Sequence, residues 1–295
     1  MAALSDLGKF WNELHLLPDW RDFRHLEVRP EEGGSFDVSV LTYNVNFAFQ
    51  SRSASAELIL TAIQQSDADA VCLQETHPRW EQMLAEKFAD DYPHRRFHHE
   101  GGGAGGSALL SRFPILEHSF DTIGGHGHVE GAWFRTSTAV ILLPQQEQQQ
   151  EQQHRRTIRL VNCHLRPPVN PDGSAGIDTA RLTGPVRQRE AEHLLEWLAQ
   201  ADTHPTVVVG DFNEGDAGVA LERLQQSGFR DAVNEHVPAA RETHRWPLGS
   251  FTLKKRLDHI CYEHRHFSCV ACFVISGFEE HASDHQPVLA FLKSH

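Results

Sequence analysis

Polar side chains stand at the end of the most apolar run in this sequence. In residues 205–213, three consecutive valines are followed by Gly210 and Asp211, and Asn213 comes two positions later. Three valines without a polar interruption are typical of a strand that is buried on both faces. If the backbone stays extended, the acid and the amide point to the same side. The stretch predicts either a rigid site floor or a turn in which Asp211 or Asn213 caps the next helix.

The same arrangement recurs along the chain, and the recurrence favours a site over a turn. Six polar groups follow apolar runs: Asn44 with Asn46, Glu75, His164, Asp211 with Asn213, Asp258 with His259, and Asp284 with His285. Hard divalent cations such as Mg²⁺ bind carboxylate and amide oxygens, few in number, together with water and substrate oxygens. Asn44, Glu75 and Asp284 supply that chemistry and are the candidate metal ligands.

Other members of the set have the chemistry of proton transfer. Asp211 is suited to deprotonate or orient a water for in-line attack at phosphorus. Asn213 is an uncharged donor for the nucleophile or for a phosphate oxygen. His285 would stabilise developing negative charge or assist the leaving group, with Asp258 holding its other ring nitrogen.

The composition is that of an acidic globular protein. The 295 residues are 40% hydrophobic, and 27 Lys and Arg against 40 Asp and Glu give a formal charge of -13. This charge disfavours a surface that coats nucleic acid and is compatible with an enzyme that collects divalent cations. Phosphate substrates remain compatible with it, because bound metals invert the local field.

Cysteine use and hydropathy indicate the compartment. The five cysteines lie in apolar runs, which predicts buried, reduced thiols rather than a disulfide framework. No run of eighteen apolar residues is present, and the first residues lack the pattern of a secretory signal. We therefore expect an intracellular, cytoplasmic protein without stable membrane insertion, and we expect a monomer.

The elements that must position these residues alternate between strands and helices. Residues 1–36 are predicted to form an amphipathic helix and a linker, and residues 37–295 one catalytic domain. Residues 167–183 are predicted to be a loop, with a helix opening at Gly184-Pro185. The pattern predicts a layered α/β domain in which two sheets share one core. Strands are predicted at 36–46, 69–75, 107–111, 133–143, 157–165, 257–262, 270–275 and 287–292, besides the valine run.

Taken together, the polar strand ends resemble the motifs of the endonuclease/exonuclease/phosphatase superfamily, in that family's order and over roughly residues 37–293. Single pieces are weak signals, whereas all six in order are a strong one. The resemblance implies a four-layer α/β sandwich of two mostly antiparallel β-sheets flanked by helices, with the site at one rim. The motifs that carry it are Thr42-Tyr43-Asn44-Val45-Asn46, Leu73-Gln74-Glu75, Asn162-Cys163-His164-Leu165, Gly210-Asp211-Phe212-Asn213, Arg256-Leu257-Asp258-His259 and Ser283-Asp284-His285.

The resemblance also implies roles for individual residues. Asn44 and Glu75 would lie near the metal, and Asp284 would be a metal or water ligand. Asp211 would be the acid that activates water, with Asn213 beside it.

Two histidines complete the implied site, and two residues depart from the family's usual pattern. His285 would contact the scissile phosphate, oriented by Asp258, and His164 stands where deoxyribonucleases and deadenylases carry histidine. Asn46 departs from the aspartate of several DNA-repair members, which weakens a second metal contact and a repair role. His259 stands where an aromatic residue or isoleucine is frequent.

Asn46, Arg166 and Trp246 are the candidates to contact the substrate, and a basic run is a fourth feature that bears on it. Arg166 either clamps a phosphate oxygen or pairs with a carboxylate at the rim. Trp246 either stacks on a base or sugar or covers the core. The run Lys254-Lys255-Arg256 either attracts a polyanion or is a solvated turn.

The sequence therefore predicts a Mg²⁺-dependent phosphoesterase, with Mn²⁺ as a substitute, that hydrolyses a phosphodiester by in-line water attack. Nucleic acid is the favoured substrate, short or single-stranded in view of the acidic charge. One alternative keeps the chemistry and takes a phospholipid head group or an inositol phosphate as substrate. The other is a non-catalytic binding module of the same fold, since fold alone does not decide function.

Overall fold

The structure is a computed structural model that describes residues 35–47, 53–99, 103–121, 129–144, 156–172, 174, 176–201, 203–248, 251–276 and 282–295. The predicted N-terminal helix and most of the predicted linker lie outside the described residues. Five helices occur in the described part: α1 Ser53–Ser66, α2 Pro78–Lys87, α3 Ile177–Gln200, α4 Val219–Gln226 and α5 Ala232–His236.

Strands make up the rest of the regular structure. In chain order those described are β1 Val38–Asn44, β2 Ala70–Thr76, β3 His94–His98, β4 Gly106–Ser111, β5 Ile115–Asp121, β6 Thr136–Leu142, β7 Thr157–His164, β8 Thr206–Asp211, β9 Phe229–Asp231, β10 His244–Leu248, β11 Phe251–Lys255, β12 Asp258–Glu263, β13 Phe267–Val274 and β14 Val288–Ser294.

Two six-stranded sheets and one two-stranded hairpin contain these strands. The first sheet has the order β13-β14-β1-β2-β4-β3, the second β5-β6-β7-β8-β12-β9, and β10 pairs with β11. Each six-stranded sheet is antiparallel except for one parallel pair, β1 with β2 and β7 with β8. A parallel pair requires a crossover, which α1 and α3 supply. The predicted sandwich of two mostly antiparallel sheets flanked by helices is confirmed.

Each sheet is covered on both faces, which explains why its central strands are buried throughout. All seven residues of β1 are buried. Val38 and Val40 pack with Val207 and Val209 of the second sheet in the central layer of the core. The alternate residues of β1 pack outward, so that Leu41 joins the side chains of α1. Fully burying one such side chain contributes about 1.5–3 kcal/mol, and this double burial makes the strand ends rigid supports.

The structure corrects the prediction for the helix before β8. Helix α3 begins at Ile177, so that Pro185 lies inside it and the predicted loop 167–183 is helical in its second half. An internal proline removes one backbone hydrogen bond and costs about 3 kcal/mol. Apolar contacts on the sheet outweigh that cost, because Val186, Ala191 and Leu194 of this helix are buried. Tertiary packing here overrides the local helix-start signal.

Several elements fell outside the sequence prediction. Strands β3, β5, β9, β10 and β11 were not expected, and Lys254 and Lys255 lie in β11 rather than in a turn. All five cysteines are free, and four of them are buried. In the described part of the chain, none of the helices combines the length and apolar character that a membrane span requires.

Candidate active site

The carboxyl ends of the two parallel strand pairs meet at one rim of the sandwich. Asn44, at the end of β1, donates from Nδ2 to Glu75 Oε1 at 3.0 Å and to Asp211 Oδ2 at 3.1 Å. Asn44 and Glu75 belong to the first sheet, and Asp211 ends β8 of the second sheet. One buried amide therefore joins the two sheets.

Two histidines flank the same carboxylate oxygen. Asp211 Oδ2 lies 3.5 Å from His164 Nε2 and 3.6 Å from His285 Nε2. His285 Nδ1 bonds to both oxygens of Asp258, at 2.9 and 3.1 Å. Asp258 is itself fixed, because its backbone N–H donates to the Thr243 hydroxyl at 3.1 Å. Asp258 thus holds Nδ1 of His285, and Nε2 of the same ring lies towards Asp211; the predicted contact of His285 with the scissile phosphate stays a prediction.

The two imidazoles differ in charge because their surroundings differ. Burial alone would lower the pKa of His285, but Asp258 and Asp211 outweigh it and hold that pKa well above its ordinary value. Burial, together with the charge on His285, lowers the pKa of His164 to about 3. Burial raises the pKa of Asp211 to about 6, helped by Asp258 and opposed by His285. The carboxylate thus lies between a neutral and a protonated imidazole.

Asn213 supports the carboxylate and does not cap a helix. Its backbone N–H donates to Asp211 Oδ1 at 2.8 Å, and its side-chain Nδ2 donates to the Leu165 carbonyl at 3.0 Å. The N-terminus of α4 is capped instead by Glu214, whose Oε1 accepts from Ala220 N at 2.6 Å. Of the two alternatives for this stretch, the helix-capping turn is wrong.

Strained backbone accompanies the strand ends. Asn46, Glu75 and Asn213 have φ angles of 46°, 60° and 53°, in the left-handed region that non-glycine residues seldom adopt. Such strain is retained where the surrounding structure fixes it, and it concentrates at functional sites. At Gly210, where φ is 138°, an added Cβ would lie 1.9 Å from the carbonyl oxygen of Cys163, so β8 and β7 approach each other as only glycine permits.

The first sheet and the loop before β14 bring oxygen donors together. Asn46 Nδ2 donates to Asp284 Oδ1 at 2.6 Å, and the Phe47 N–H donates to Glu75 Oε2 at 3.1 Å. Burial raises the pKa of Glu75, opposed by the bonds from Asn44 and Phe47 and by the charge of His285. Burial would also raise the pKa of Asp284, but His244 and His285 keep it below its usual range. Half-buried carboxylate oxygens of this kind fit a hard divalent cation.

His244 is a site residue that the sequence analysis did not assign. Its ring centroid lies 4.5 Å from that of His285, and its Nε2 lies 3.6 Å from Asp284 Oδ2. Backbone bonds hold it there, because Arg245 N donates to the Asp284 carbonyl at 2.9 Å. The ligand atoms of His244, Asp284 and His285 lie within 4.8 Å of one another. The sequence signal for the β10–β11 hairpin that carries His244 was the dipeptide Gly249-Ser250, a pair of residues typical of hairpin loops, between two short runs.

Arg166 and Trp246, two of the residues predicted to contact the substrate, bond or pair with other parts of the chain. The Arg166 guanidinium lies over the Trp133 ring, 3.5 Å from its centroid, and donates to the Val169 carbonyl at 2.9 Å. The bond from Arg166 to a carboxylate comes from its backbone N–H, which donates to Glu190 at 3.0 Å. Trp246 pairs across the hairpin with Leu253 and follows His244 by two residues. Its substrate contact, like that of Arg166, stays a prediction.

Two further residues of the motifs are structural. Arg256 is buried, donates to Asp216 at 2.8 Å and bonds to Asn234, so the basic run is not a free patch at that position. His259 Nδ1 lies 2.8 Å from Asp231 Oδ2. Burial would lower the pKa of His259, but Asp231 outweighs it and raises that pKa. Both side chains therefore stabilise the start of β12 through contacts with Asp216 and Asp231, and neither is bonded to Asp211.

A match to a known sequence family identifies the group of proteins to which this chain belongs. Residues 41–285 match the sequence model of the Endonuclease/Exonuclease/phosphatase family. The chain belongs to that family. Its members are hydrolases that act on phosphoesters and typically depend on divalent metals. The resemblance seen in the sequence is thereby confirmed.

Solved structures agree on the fold. The human Nocturnin catalytic domain with bound sulfate is 14% identical, with a TM-score of 0.62 over 88% of this chain and 94% of that one. A humanized D. rerio TDP2 is 15% identical, with a TM-score of 0.61 over 87% and 98%. A family protein from Leptotrichia buccalis C-1013-b is 17% identical, with a TM-score of 0.62 over 87% and 99%. Comparison with curated proteins gave no match.

Proposed function

We propose that this protein hydrolyses phosphodiesters with the help of a divalent cation, Mg²⁺ first, and that its substrate is nucleic acid. One observation carries the proposal: Asp211 Oδ2 lies within 3.1 Å of Asn44 Nδ2, 3.5 Å of His164 Nε2 and 3.6 Å of His285 Nε2. A buried carboxylate oxygen surrounded by these three nitrogens is suited to accept a proton from water, and Asn44 links it to the Glu75 carboxylate at 3.0 Å.

Glu75, Asp284 and Asn44 would hold the cation. Their oxygens are hard donors, and the raised pKa of Glu75 reports a buried charge that a cation would compensate. When bound, the cation neutralises charge on the phosphate oxygens and acts as a Lewis acid. Asn46 keeps Asp284 in place through the 2.6 Å bond to its Oδ1.

Asp211 would accept the proton of the attacking water. Its Oδ1 is occupied by the Asn213 N–H at 2.8 Å, which leaves Oδ2 as the oxygen that faces the other site groups. A base with a pKa of about 6 is ionised at neutral pH and still accepts a proton readily. Asn44 orients this oxygen by donating to it from Nδ2 and does not itself transfer a proton.

His285 and His164 would have different roles. His285, protonated and held by Asp258, donates from Nε2 to a phosphate oxygen and stabilises the charge that develops there. His164, with its pKa lowered to about 3, is neutral and serves as a hydrogen-bond partner without adding charge. Phe134 fixes its ring by stacking on it at 3.9 Å between centroids.

Two observations support single-stranded nucleic acid as the substrate. D. rerio TDP2, a structure 15% identical to this chain, was solved with a single-strand DNA product. The net charge of -13 disfavours a long duplex, because a non-specific grip on duplex DNA depends on many Lys and Arg contacts. A single-stranded oligonucleotide is therefore the first substrate to try.

The test is turnover of a labelled single-stranded oligonucleotide and of a bis-aryl phosphodiester. We expect cleavage with Mg²⁺ or Mn²⁺, loss of cleavage with EDTA, and loss of cleavage in His285→Ala under conditions in which that variant is still folded. Sphingomyelin and inositol phosphates run beside them distinguish the lipid and inositol alternatives. A folded protein that binds these esters but turns none of them over would instead be a binding module.

A further inference from the structure

Trp133 is an aromatic side chain left at the surface beside the site. It is 37% exposed, whereas Trp80 in the core is 2% exposed. The guanidinium of Arg166 covers its ring at 3.5 Å from the centroid. Arg166 is itself held, since it donates to the Val169 carbonyl at 2.9 Å. The indole is thus fixed by a planar cation while a third of its surface stays open.

A short chain of ring contacts links Trp133 to the reacting groups. The neighbouring Phe134 stacks on His164 with 3.9 Å between centroids and 17° between planes. His164 Nε2 lies 3.5 Å from Asp211 Oδ2. Arg166 follows His164 by two residues at the end of β7. The Trp133 and Phe134 ring centroids are 6.3 Å apart at 90°, so an aromatic group resting on Trp133 would lie along the rim from Asp211, with Phe134 and His164 between them.

The segment that carries Trp133 is anchored to helix α3. Arg189 of that helix donates to the Glu130 carbonyl at 3.1 Å. At Gly131, where φ is 87°, an added Cβ would lie 3.2 Å from a methyl group of Val186. Because a helix on the second sheet holds this segment, the indole is positioned before any substrate binds.

We propose that Trp133 is a substrate-binding residue on which one nucleobase stacks beside the scissile phosphate. This inference rests on the proposed function and narrows its substrate class to strands with a base at that position. Arg166 beneath the ring adds a cation–π contact to the stack. Stacking accepts all four bases, because every base has a π face, and it contributes about 5- to 150-fold in binding per base.

The experiment compares Trp133→Leu, which keeps apolar bulk, with Trp133→Phe, which keeps an aromatic ring. Each variant is assayed on a single-stranded oligonucleotide and on the same strand with abasic sugars flanking the cleaved bond. The wild type should prefer the base-bearing strand. In Trp133→Leu we expect kcat/KM on that strand to fall about 5- to 150-fold, mainly through KM. The abasic strand should be cleaved as by wild type, and Trp133→Phe should retain most of the preference.

The ratio between the two strands within one variant is independent of the fraction of protein that is folded. Leu116→Ala, at a position 43% exposed on β5, controls for loss of an exposed apolar side chain and should keep the wild-type ratio. An unchanged ratio in Trp133→Leu would overturn the inference while leaving the proposed function intact. If the wild type cleaves neither strand, the nucleic-acid function fails, and the inference fails with it.

Discussion

The two parallel strand pairs have the same architecture and different chemistry. In both, a strand, a crossover helix and a second strand lie within an otherwise antiparallel sheet, and both pairs end in polar groups at the rim. In the β1–β2 pair, Asn44 lies opposite Gln74, with Glu75 next. In the β7–β8 pair, His164 lies opposite Asp211. The first pair ends in the amide of Asn44 and the carboxylate of Glu75, and the second ends in the imidazole of His164 and the carboxylate of Asp211.

The backbone produces this difference in two ways. At the end of β2 the register shifts between Gln74 and Thr76, and Glu75 between them has a φ of 60°. A bulge of this kind re-aims one side chain, here the Glu75 carboxylate. At the end of β8, Gly210 permits close approach to Cys163, and the ladder runs in register to its last residues. The first pair turns the Glu75 carboxylate towards the site, and the second keeps His164 and Asp211 side by side.

The largest effect should follow from Asp211→Asn in the second pair. The amide is nearly isosteric but cannot accept a proton from water, so kcat should fall about 10³- to 10⁴-fold with unchanged thermal stability. Turnover of the oligonucleotide and thermal melting measure the two quantities. Near-normal kcat in the folded variant would remove Asp211 from its proposed role.

Glu75→Gln should distinguish the proposed role of the first strand pair, binding Mg²⁺, from that of the second, proton transfer. Loss of a buried carboxylate ligand should raise the Mg²⁺ concentration for half-maximal rate on the order of 100-fold, with kcat largely recovered at saturation. Asp211→Asn should not recover at any Mg²⁺ concentration. If titration of Mg²⁺ restores both variants equally, the division of labour between the pairs is wrong.

Gly210→Ala tests the close approach of β7 and β8. The added Cβ would lie 1.9 Å from the Cys163 carbonyl, so the free energy of unfolding should fall by about 2 kcal/mol or more. Gly103→Ala is the matched control, because its φ is 81° and nothing lies within 4 Å of its Cβ. Denaturant unfolding of both variants measures the difference, and equal losses would show that strain, not the approach, sets the cost.

His244→Ala should have the smallest effect, about tenfold in kcat. His244 belongs to neither pair, and its contacts to Asp284 and His285 orient groups that act on the substrate. His236→Ala, at an exposed position ending α5, provides the control. A loss as large as that of Asp211→Asn would mean that the hairpin contributes a catalytic residue rather than a positioning one.

The sequence was informative where chemistry and burial coincide. The valine run of β8 and the polar groups at its end could be predicted, because double burial requires apolar residues and the site requires polar ones. The start of α3 was predicted wrongly at Pro185. A proline is a local signal for a helix start, whereas the packing of α3 on the sheet, which extends the helix back to Ile177, depends on residues distant in the chain. His244 could not be assigned, because its position depends on a hairpin that docks on the Asp284 segment through long-range backbone bonds.

The order of strands in the first sheet sets a limit on when the candidate site can be complete. β14 pairs with β1, and the partners Thr42 and Val288 are 288 − 42 = 246 residues apart in the chain. Asp284 and His285 immediately precede β14. A nascent chain emerging from the ribosome therefore exposes one edge of β1 until nearly all of these residues have been synthesised. The bonds from Asn46 to Asp284 and from His285 to Asp258 can therefore form only late in synthesis, so this rim is among the last parts of the fold to be completed.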